Sequence, residues 1–206
     1  MIQPKAVVFD YGNVLCLPQQ ASDVEKMSEL TGIQRPRFDE LYWRFRDPYD
    51  QGEIDGAAYW RRIAGAAVLD GLIEKLVLAD SNSWMHPCQA MIDWTAALKR
   101  SVLKVGLLSN MHFDLRHHLG RHCEWLRAFD HVTFSCDVGS IKPREAIYRH
   151  CLAGLGVDPH DALFLDDKHA NAEGARKIGM HTIVFKDPEQ ASREVAQRFR
   201  LPELKY

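Results

Sequence analysis

The chain has 206 residues, of which 46% are hydrophobic and 26% are charged, and its formal net charge is −2. These values are typical of a globular protein with one good core and a small accessory domain. The near-neutral charge and the scattered Lys and Arg residues argue against nucleic-acid binding, and no apolar run is long enough to cross a membrane.

Short apolar runs in the sequence predict the strands of a mainly parallel sheet. Because they are apolar on both faces, they fit strands buried between two layers of helices. Helical patterns lie between them, which predicts an α/β fold with a doubly wound, Rossmann-like sheet. The predicted strands span residues 6–9, 102–108, 131–134, 162–165 and 182–185.

Proline and glycine predict the ends of two helices. Pro143 suits the first position of a helix that continues through residues 148–152, and Gly154 can close it. A second helix is predicted over residues 171–178, with Gly179 as its stop.

The segment of residues 18–87 has a different pattern, with helical spacing throughout and no predicted strand. Met27, Leu30 and Ile33 illustrate this spacing. We therefore predict a small all-helical cap over residues 18–87, inserted after the first strand. The catalytic core then consists of residues 1–17 and 88–206.

Polar residues of related chemistry follow three of the predicted strands. Asp10 follows the first, Ser109-Asn110 the second, and Asp166-Asp167 the fourth. In doubly wound sheets, ligands bind outside the carboxyl ends of the strands. We therefore expect these side chains to share one site.

Each polar residue also has a simpler interpretation, since a lone carboxylate such as Asp10 often caps a turn. The combination favours a phosphate site instead. Lys142 precedes a predicted helix start, where positive charge and the helix dipole both favour an anion. The adjacent acids Asp166 and Asp167 are hard oxygen ligands of the kind that suit Mg²⁺.

These motifs resemble the four ordered motifs of the haloacid dehalogenase-like superfamily. They are Phe-Asp10-x-x-x-Val-Leu, Leu-Ser109-Asn110, Lys142-Pro143 and Phe-Leu-Asp166-Asp167-x-x-x-Asn171. The helical insertion falls where that family carries its type-one cap. The first and fourth motifs are similar to those of sugar-1-phosphate phosphatases and of the phosphatase domain of soluble epoxide hydrolases.

The resemblance implies a phosphatase that hydrolyses a small phosphate monoester, such as a sugar phosphate. Asp10 would be the nucleophile and would form an aspartyl phosphate. Ser109 and the backbone of Asn110 would hold phosphoryl oxygens. Lys142 would neutralise the phosphoryl charge and orient Asp10.

The resemblance also implies Mg²⁺ as the cofactor. Its ligands would be Asp10, the backbone carbonyl of Gly12, and Asp167. Asp166 and Asn171 would support these ligands without touching the ion.

Gly12 departs from the family pattern, because most phosphatases of the family carry a second Asp there. That Asp protonates the leaving oxygen, and such assistance is worth about 10²–10⁴ in rate. Three consequences are open: a preference for good leaving groups such as anomeric or aryl phosphates, a proton from another residue such as His112, or binding without turnover. The first is favoured, because the sugar-phosphatase branch itself carries Gly at this position.

Two other functions are open on this sequence. A 2-haloacid dehalogenase uses the same fold and an Asp nucleophile, but it needs no metal and usually lacks paired acids such as Asp166-Asp167. A non-catalytic phospho-ligand binder is supported by Gly12 alone, and the presence of Asp10, Lys142 and Asp167 argues against it.

Cap residues give two interpretations. Arg46 and Tyr49 precede a Gly-bearing turn and could reach over the mouth of the site, with Arg46 as a candidate substrate ligand. Trp43 and Trp60 are expected in the core of the cap, because Trp is usually buried.

The remaining expectations concern partners, metals and location. His118 and His122 share a helix face at i, i+4 spacing, which fits a polar surface better than a zinc site. We expect a small phosphorylated metabolite as the ligand, no nucleic-acid or membrane partner, and a monomer or homodimer. Five cysteines without a CxxC pair and the absence of a signal-peptide pattern favour a cytoplasmic protein.

Overall fold

A five-stranded parallel sheet lies at the centre of the structure. The computed structural model describes residues 1–101 and 103–206. The strands pair in the order β3-β2-β1-β4-β5, all parallel, which confirms the predicted fold class. Their bounds are β1 Ala6–Phe9, β2 Lys104–Ser109, β3 His131–Phe134, β4 Ala162–Asp166 and β5 His181–Val184.

Helices surround the sheet and fill the segment after β1. Those of the first half are α1 Ala21–Thr31, α2 Arg35–Arg44, α3 Arg46–Asp50, α4 Gly56–Ala64, α5 Asp70–Ser83 and α6 Gln89–Arg100. Those of the second half are α7 Phe113–His122, α8 Ser135–Val138, α9 Glu145–Leu155, α10 His169–Lys177 and α11 Pro188–Arg198. Across the described residues, no helix is both long and apolar enough to cross a membrane.

The predicted strands agree with the structure to within about two residues at their ends. The first and third match throughout. The second was predicted to begin at Val102, which lies outside the described residues; β2 runs to Ser109, so this polar residue belongs to the strand itself.

Two predicted helix ends are wrong. Helix α9 begins at Glu145, and Pro143 lies in the turn before it. Gly154 lies inside α9, where a Cβ would come within 2.2 Å of the His131 ring, so glycine is needed there for close packing against β3. The helix ends instead at Gly156, whose φ of 63° is left-handed.

The sheet buries both of its faces, as the apolar runs predicted. In β1, Val7 and Phe9 pack into the core on one face, whereas Ala6 and Val8 pack into the core on the other. This double burial fixes the strand, so that Asp10 emerges from the middle of the sheet.

Helices α1–α5 bury a separate hydrophobic core of their own that is rich in aromatic residues. Its largest members are Phe38, Tyr42, Tyr49, Tyr59 and Trp60, all 2% exposed or less. The division into a core and a cap over residues 18–87 remains a prediction, and this separate cluster is the observation that supports it.

Candidate active site

The polar residues that follow the strands meet at one edge of the sheet. Asp10 directly follows β1, Ser109 ends β2, and Asp166 ends β4. The chain leaves β1 first toward β2 and β3 and later returns to β4 on the other side. This reversal of strand order creates the crevice in which doubly wound proteins bind ligands.

Lys142 lies at the centre of this crevice and is only 3% exposed. Its Nζ lies 2.7 Å from Oδ1 of Asp10, and it donates to Oδ2 of Asp166 at 2.7 Å and to the carbonyl of Leu108 at 3.0 Å. Burial alone would lower its pKa, but the two carboxylates raise it above the usual value. The lysine therefore carries a fixed positive charge beside Asp10.

Asn110 holds the backbone of this lysine in place. Its side-chain amide accepts a hydrogen bond from the N–H of Lys142 at 2.8 Å and donates to the carbonyl of the same residue at 3.1 Å. Because both backbone groups are held in this way, Lys142 stays in the turn that precedes helix α9. The side chain of Asn110 thus positions the charge.

Asp10 is nearly buried, at 7% exposure, and its two oxygens differ. Oδ1 accepts from the backbone N–H of Tyr11 at 2.7 Å and faces Lys142. Within the described residues, Oδ2 accepts no hydrogen bond. Burial raises the pKa of Asp10 to about 7, with Lys142 acting in the opposite direction. One oxygen is anchored and the other is available for chemistry.

Asp166 is fully buried and saturated with donors. Besides Lys142, it accepts from the backbone N–H of Lys168 at 2.8 Å and from Nδ2 of Asn171 at 3.0 Å. Its role is therefore to orient Lys142 and the start of helix α10.

Asp167 is more open than Asp166 and lies beside the other two carboxylates. Ligand oxygens of Asp10, Asp166 and Asp167 lie within 4.8 Å of one another. Asp167 accepts one hydrogen bond, from Nδ2 of Asn13 at 2.8 Å. Because Asp166 is saturated, Asp10 and Asp167 are the carboxylates that fit a hard cation such as Mg²⁺.

The crevice opens into a pocket closed on the far side by helices of the insertion. Ser109 lines it with a hydroxyl whose only hydrogen bond among the described residues is a long one, 3.4 Å to the carbonyl of Asn110. The insertion contributes Trp43, Arg46, Asp47, Asp50 and Trp84 to the wall. The core contributes Asp10, Tyr11, Gly12, Asn13, Ser109, Asn110, Met111, Leu115, Lys142, Asp167, Lys168 and Asn171.

Arg46 belongs to a buried ion network as well as to the pocket. Its Nε donates to Asp50 at 3.0 Å, and its Nη1 donates to Asp80 at 3.0 Å and to the hydroxyl of Tyr42 at 2.8 Å. Burial alone would raise the pKa of Asp80, but Arg46 and the neighbouring donors lower it to about 2. Nη2 has no acceptor in the described part of the chain, so a guanidinium N–H remains for a ligand.

The structure disagrees with two of the open alternatives, those for His112 and Tyr49, and with the expectation that Trp43 is buried. His112 is fully buried outside the pocket, where it caps helix α7 by accepting from the N–H of Leu115, so it is no proton source for the site. Tyr49 stacks on His112 with ring centroids 3.9 Å apart and does not reach the pocket mouth. Trp43 lines the pocket at 50% exposure, whereas Trp60 is buried as expected.

Gly12 lies against the indole of Trp84. A Cβ on Gly12 would lie 3.3 Å from Cζ3 of that ring. Trp84 immediately follows helix α5, 72 residues along the chain from Gly12, so sequence patterns could not place the two together. Asn13 was also missed, although its left-handed φ of 59° is a conformation in which Asn is enriched.

Residues 4–179 match the model of the haloacid dehalogenase-like hydrolase family. The chain belongs to this family. It is therefore a hydrolase, and the superfamily resemblance of its four motifs is confirmed.

Two curated relatives cover almost the whole chain. Bifunctional epoxide hydrolase 2 of Rattus norvegicus is 26% identical over 93% of the chain, but the chain spans only 38% of that protein's length. The sesquiterpene phosphatase astK of Aspergillus oryzae is 24% identical, and the alignment covers 94% of the chain and 95% of the relative.

Solved structures of the haloacid dehalogenase-like family share the fold. A family enzyme from Bacteroides thetaiotaomicron, in complex with magnesium and inorganic phosphate, has a TM-score of 0.73 at 19% identity and covers 89% of this chain and 94% of its own. An L-2-haloacid dehalogenase from Xanthobacter autotrophicus has a TM-score of 0.69 at 19% identity, and the match covers 95% of this chain and 84% of the dehalogenase chain. Because the fold is common to both, it does not separate the two chemistries.

Proposed function

We propose that this hydrolase is a Mg²⁺-dependent phosphatase that removes phosphate from a small phosphate monoester. The observation that carries the proposal is the buried Lys142, which lies 2.7 Å from the carboxylate of Asp10 in a crevice that also holds Asp167. A fixed cation beside a carboxylate with one unbonded oxygen suits attack on an anionic phosphoryl group. The magnesium and phosphate bound by the Bacteroides enzyme are consistent with this chemistry.

In the first step, Asp10 attacks phosphorus, and the bond from phosphorus to the leaving-group oxygen breaks with its electron pair on that oxygen. Lys142 holds Asp10 and offsets charge on the phosphoryl oxygens. Ser109, only 3% exposed but lining the pocket, donates its hydroxyl to one of those oxygens. In the second step, water attacks phosphorus, and the bond from phosphorus to Asp10 breaks with its electron pair on the carboxylate. One proton of that water stays on the released phosphate, and the other passes through solvent to the leaving-group oxygen.

The carboxylates of Asp10 and Asp167, together with the carbonyl of Gly12, would hold the metal. When bound, Mg²⁺ supplies positive charge and a template that orients the phosphoryl group. Asn13 keeps Asp167 oriented through a hydrogen bond of 2.8 Å.

Metal removal gives a direct prediction. In EDTA, phosphate release is expected to fall by at least about a hundredfold, because the charge stabilisation lost with a catalytic metal is worth several kcal/mol. Addition of excess Mg²⁺ should restore it. Full phosphate release in EDTA would contradict the proposed metal requirement. No phosphate release with or without Mg²⁺ would favour the dehalogenase alternative, which release of halide from 2-chloropropionate in EDTA would then test.

The leaving group carries the second prediction. No acid stands at position 12, and His112 lies outside the pocket, so neither residue supplies a proton to the leaving oxygen. We therefore expect p-nitrophenyl phosphate and glucose-1-phosphate to exceed glucose-6-phosphate in kcat/KM by about 10²-fold or more. A phosphate-release assay measures this ratio, and comparable values for all three esters would contradict the explanation.

Arg46 is proposed as a substrate ligand on the cap side. Nη2 is its one guanidinium nitrogen without an acceptor among the described residues, and the residue lines the pocket. Since the same side chain balances two buried carboxylates, replacing it would alter stability as well as binding.

The binder alternative depends only on Gly12. Asp10, Lys142 and Asp167 all lie in the same crevice, and a protein that only binds phosphate has no need of a nucleophile held by a buried lysine. We therefore rank it below catalysis.

A further inference from the structure

The side of the pocket that faces Gly12 is an aromatic wall. Trp84 lies so close to Gly12 that a Cβ at position 12 would be 3.3 Å from its Cζ3, which is tighter than an ordinary van der Waals contact. Trp43 packs edge-on against it, with ring centroids 6.5 Å apart and an interplanar angle of 80°. Both rings line the pocket.

Contacts on several sides hold the indole of Trp84 in place. Its Nε1 donates to the hydroxyl of Tyr42 at 3.2 Å, and that hydroxyl donates to the buried Asp80 at 2.6 Å. The backbone carbonyl of Trp84 accepts a hydrogen bond from the hydroxyl of Tyr11. At 9% exposure, the ring turns only a small part of its surface to the pocket. The wall is therefore formed before any ligand enters.

The position of Trp84 relative to the reacting groups decides what it contacts. Trp43 and Trp84 line the same pocket as Asp10, Ser109 and Lys142. In the proposed reaction the leaving oxygen points away from Asp10, so the group attached to it occupies the rest of this pocket, whose wall includes both indoles. A flat, apolar group can pack against these rings. A polyol would have to give up hydrogen bonds to water, which the face of an indole does not replace.

We propose that Trp84, backed by Trp43, selects phosphate esters with a flat aromatic leaving group, so that the substrate class is an aryl or heteroaryl phosphate. This inference rests on the proposed phosphatase function. An aryl oxygen also leaves readily without a proton, which is the property that Gly12 requires.

Binding of two non-hydrolysable probes tests the inference apart from turnover. Phenylphosphonate is expected to bind the Mg²⁺-loaded wild type about tenfold more tightly than methylphosphonate, the size of a good aromatic contact. Trp84→Leu should remove most of this preference but change the affinity for methylphosphonate by no more than about twofold. Trp84→Phe should retain the preference for phenylphosphonate. Calorimetric titration provides both affinities.

Matched variants guard against misfolding. Trp60→Leu makes the same substitution as Trp84→Leu in the aromatic core of the insertion, away from the pocket, and should leave the preference of the folded protein unchanged. If Trp84→Leu does not fold, Trp43→Leu at a half-exposed position should still lower the preference. Equal affinity for the two probes in the wild type, or a preference that survives loss of either wall residue, would overturn the inference. Selective binding without phosphate release from any ester would support the wall and refute the proposed function.

Discussion

Replacing Asp10 with Asn is expected to lower kcat/KM for p-nitrophenyl phosphate by a factor on the order of 10⁴ to 10⁶, as loss of a nucleophile or its close partner does in other hydrolases. The amide cannot form the aspartyl phosphate, although it retains nearly the same shape beside Lys142. Steady-state phosphate release in Mg²⁺ measures the change.

Folding of the variant must be shown separately, and the structure predicts the direction in which its melting temperature changes. Burial raises the pKa of Asp10 to about 7. At a pH above the ordinary pKa of an aspartate, this shift lowers the free energy of unfolding, because the unfolded chain ionises Asp10 more easily than the folded protein does. In EDTA near neutral pH, Asp10→Asn should therefore melt at the same temperature as the wild type or higher. A large fall in melting temperature would mean that lost activity reflects misfolding.

Replacing Asp80 with Asn is expected to cost about 3–5 kcal/mol of unfolding free energy. Asp80 is fully buried, and its carboxylate accepts from Arg46 and Tyr42 and lies 3.3 Å from Nε2 of His112. Removing its charge leaves the buried Arg46 with Asp50 as its one remaining carboxylate partner among the described residues. Urea denaturation at pH 7 measures the loss.

The same carboxylate gives a pH dependence. Because the pKa of Asp80 is lowered to about 2 in the folded state, its contribution is complete above its unfolded value of about 3.9 and is lost as pH falls toward 2. Asp80→Asn should therefore flatten the acid limb of the stability curve. Asp70→Asn provides the matched control, since Asp70 pairs with Arg61 on the surface at 84% exposure and should change the midpoint little. Equal losses in both variants would contradict the importance of the buried network.

Residues whose place follows from strand periodicity were predictable from the sequence. Asp10, Ser109 and Asp166 come at the ends of strands, and parallel strands bring those ends to one edge. The family motifs then assigned chemistry to them.

Residues placed by tertiary packing were not predictable in this way. His112 lies close after β2 in the chain, yet its ring stacks on Tyr49 and does not line the pocket. Trp84 and Trp43 enter the pocket because the insertion folds back over the crevice, and that geometry leaves no local pattern. Gly154 looked like a helix stop, but the approach of His131 explains it.

The central claim is that Asp10 becomes phosphorylated during turnover, and rapid quenching tests it most directly. The wild type is mixed with an aryl phosphate that carries radiolabelled phosphate, in Mg²⁺, and is quenched in acid. One portion is counted for bound label, and a second is reduced with borohydride, which releases the phosphate and converts an aspartyl phosphate to homoserine, and is then digested for peptide mapping. We predict bound label before reduction and homoserine at position 10 after it in the wild type, and neither in Asp10→Asn. Phosphate release by the wild type without modification of Asp10, or equal release by the variant, would contradict the mechanism.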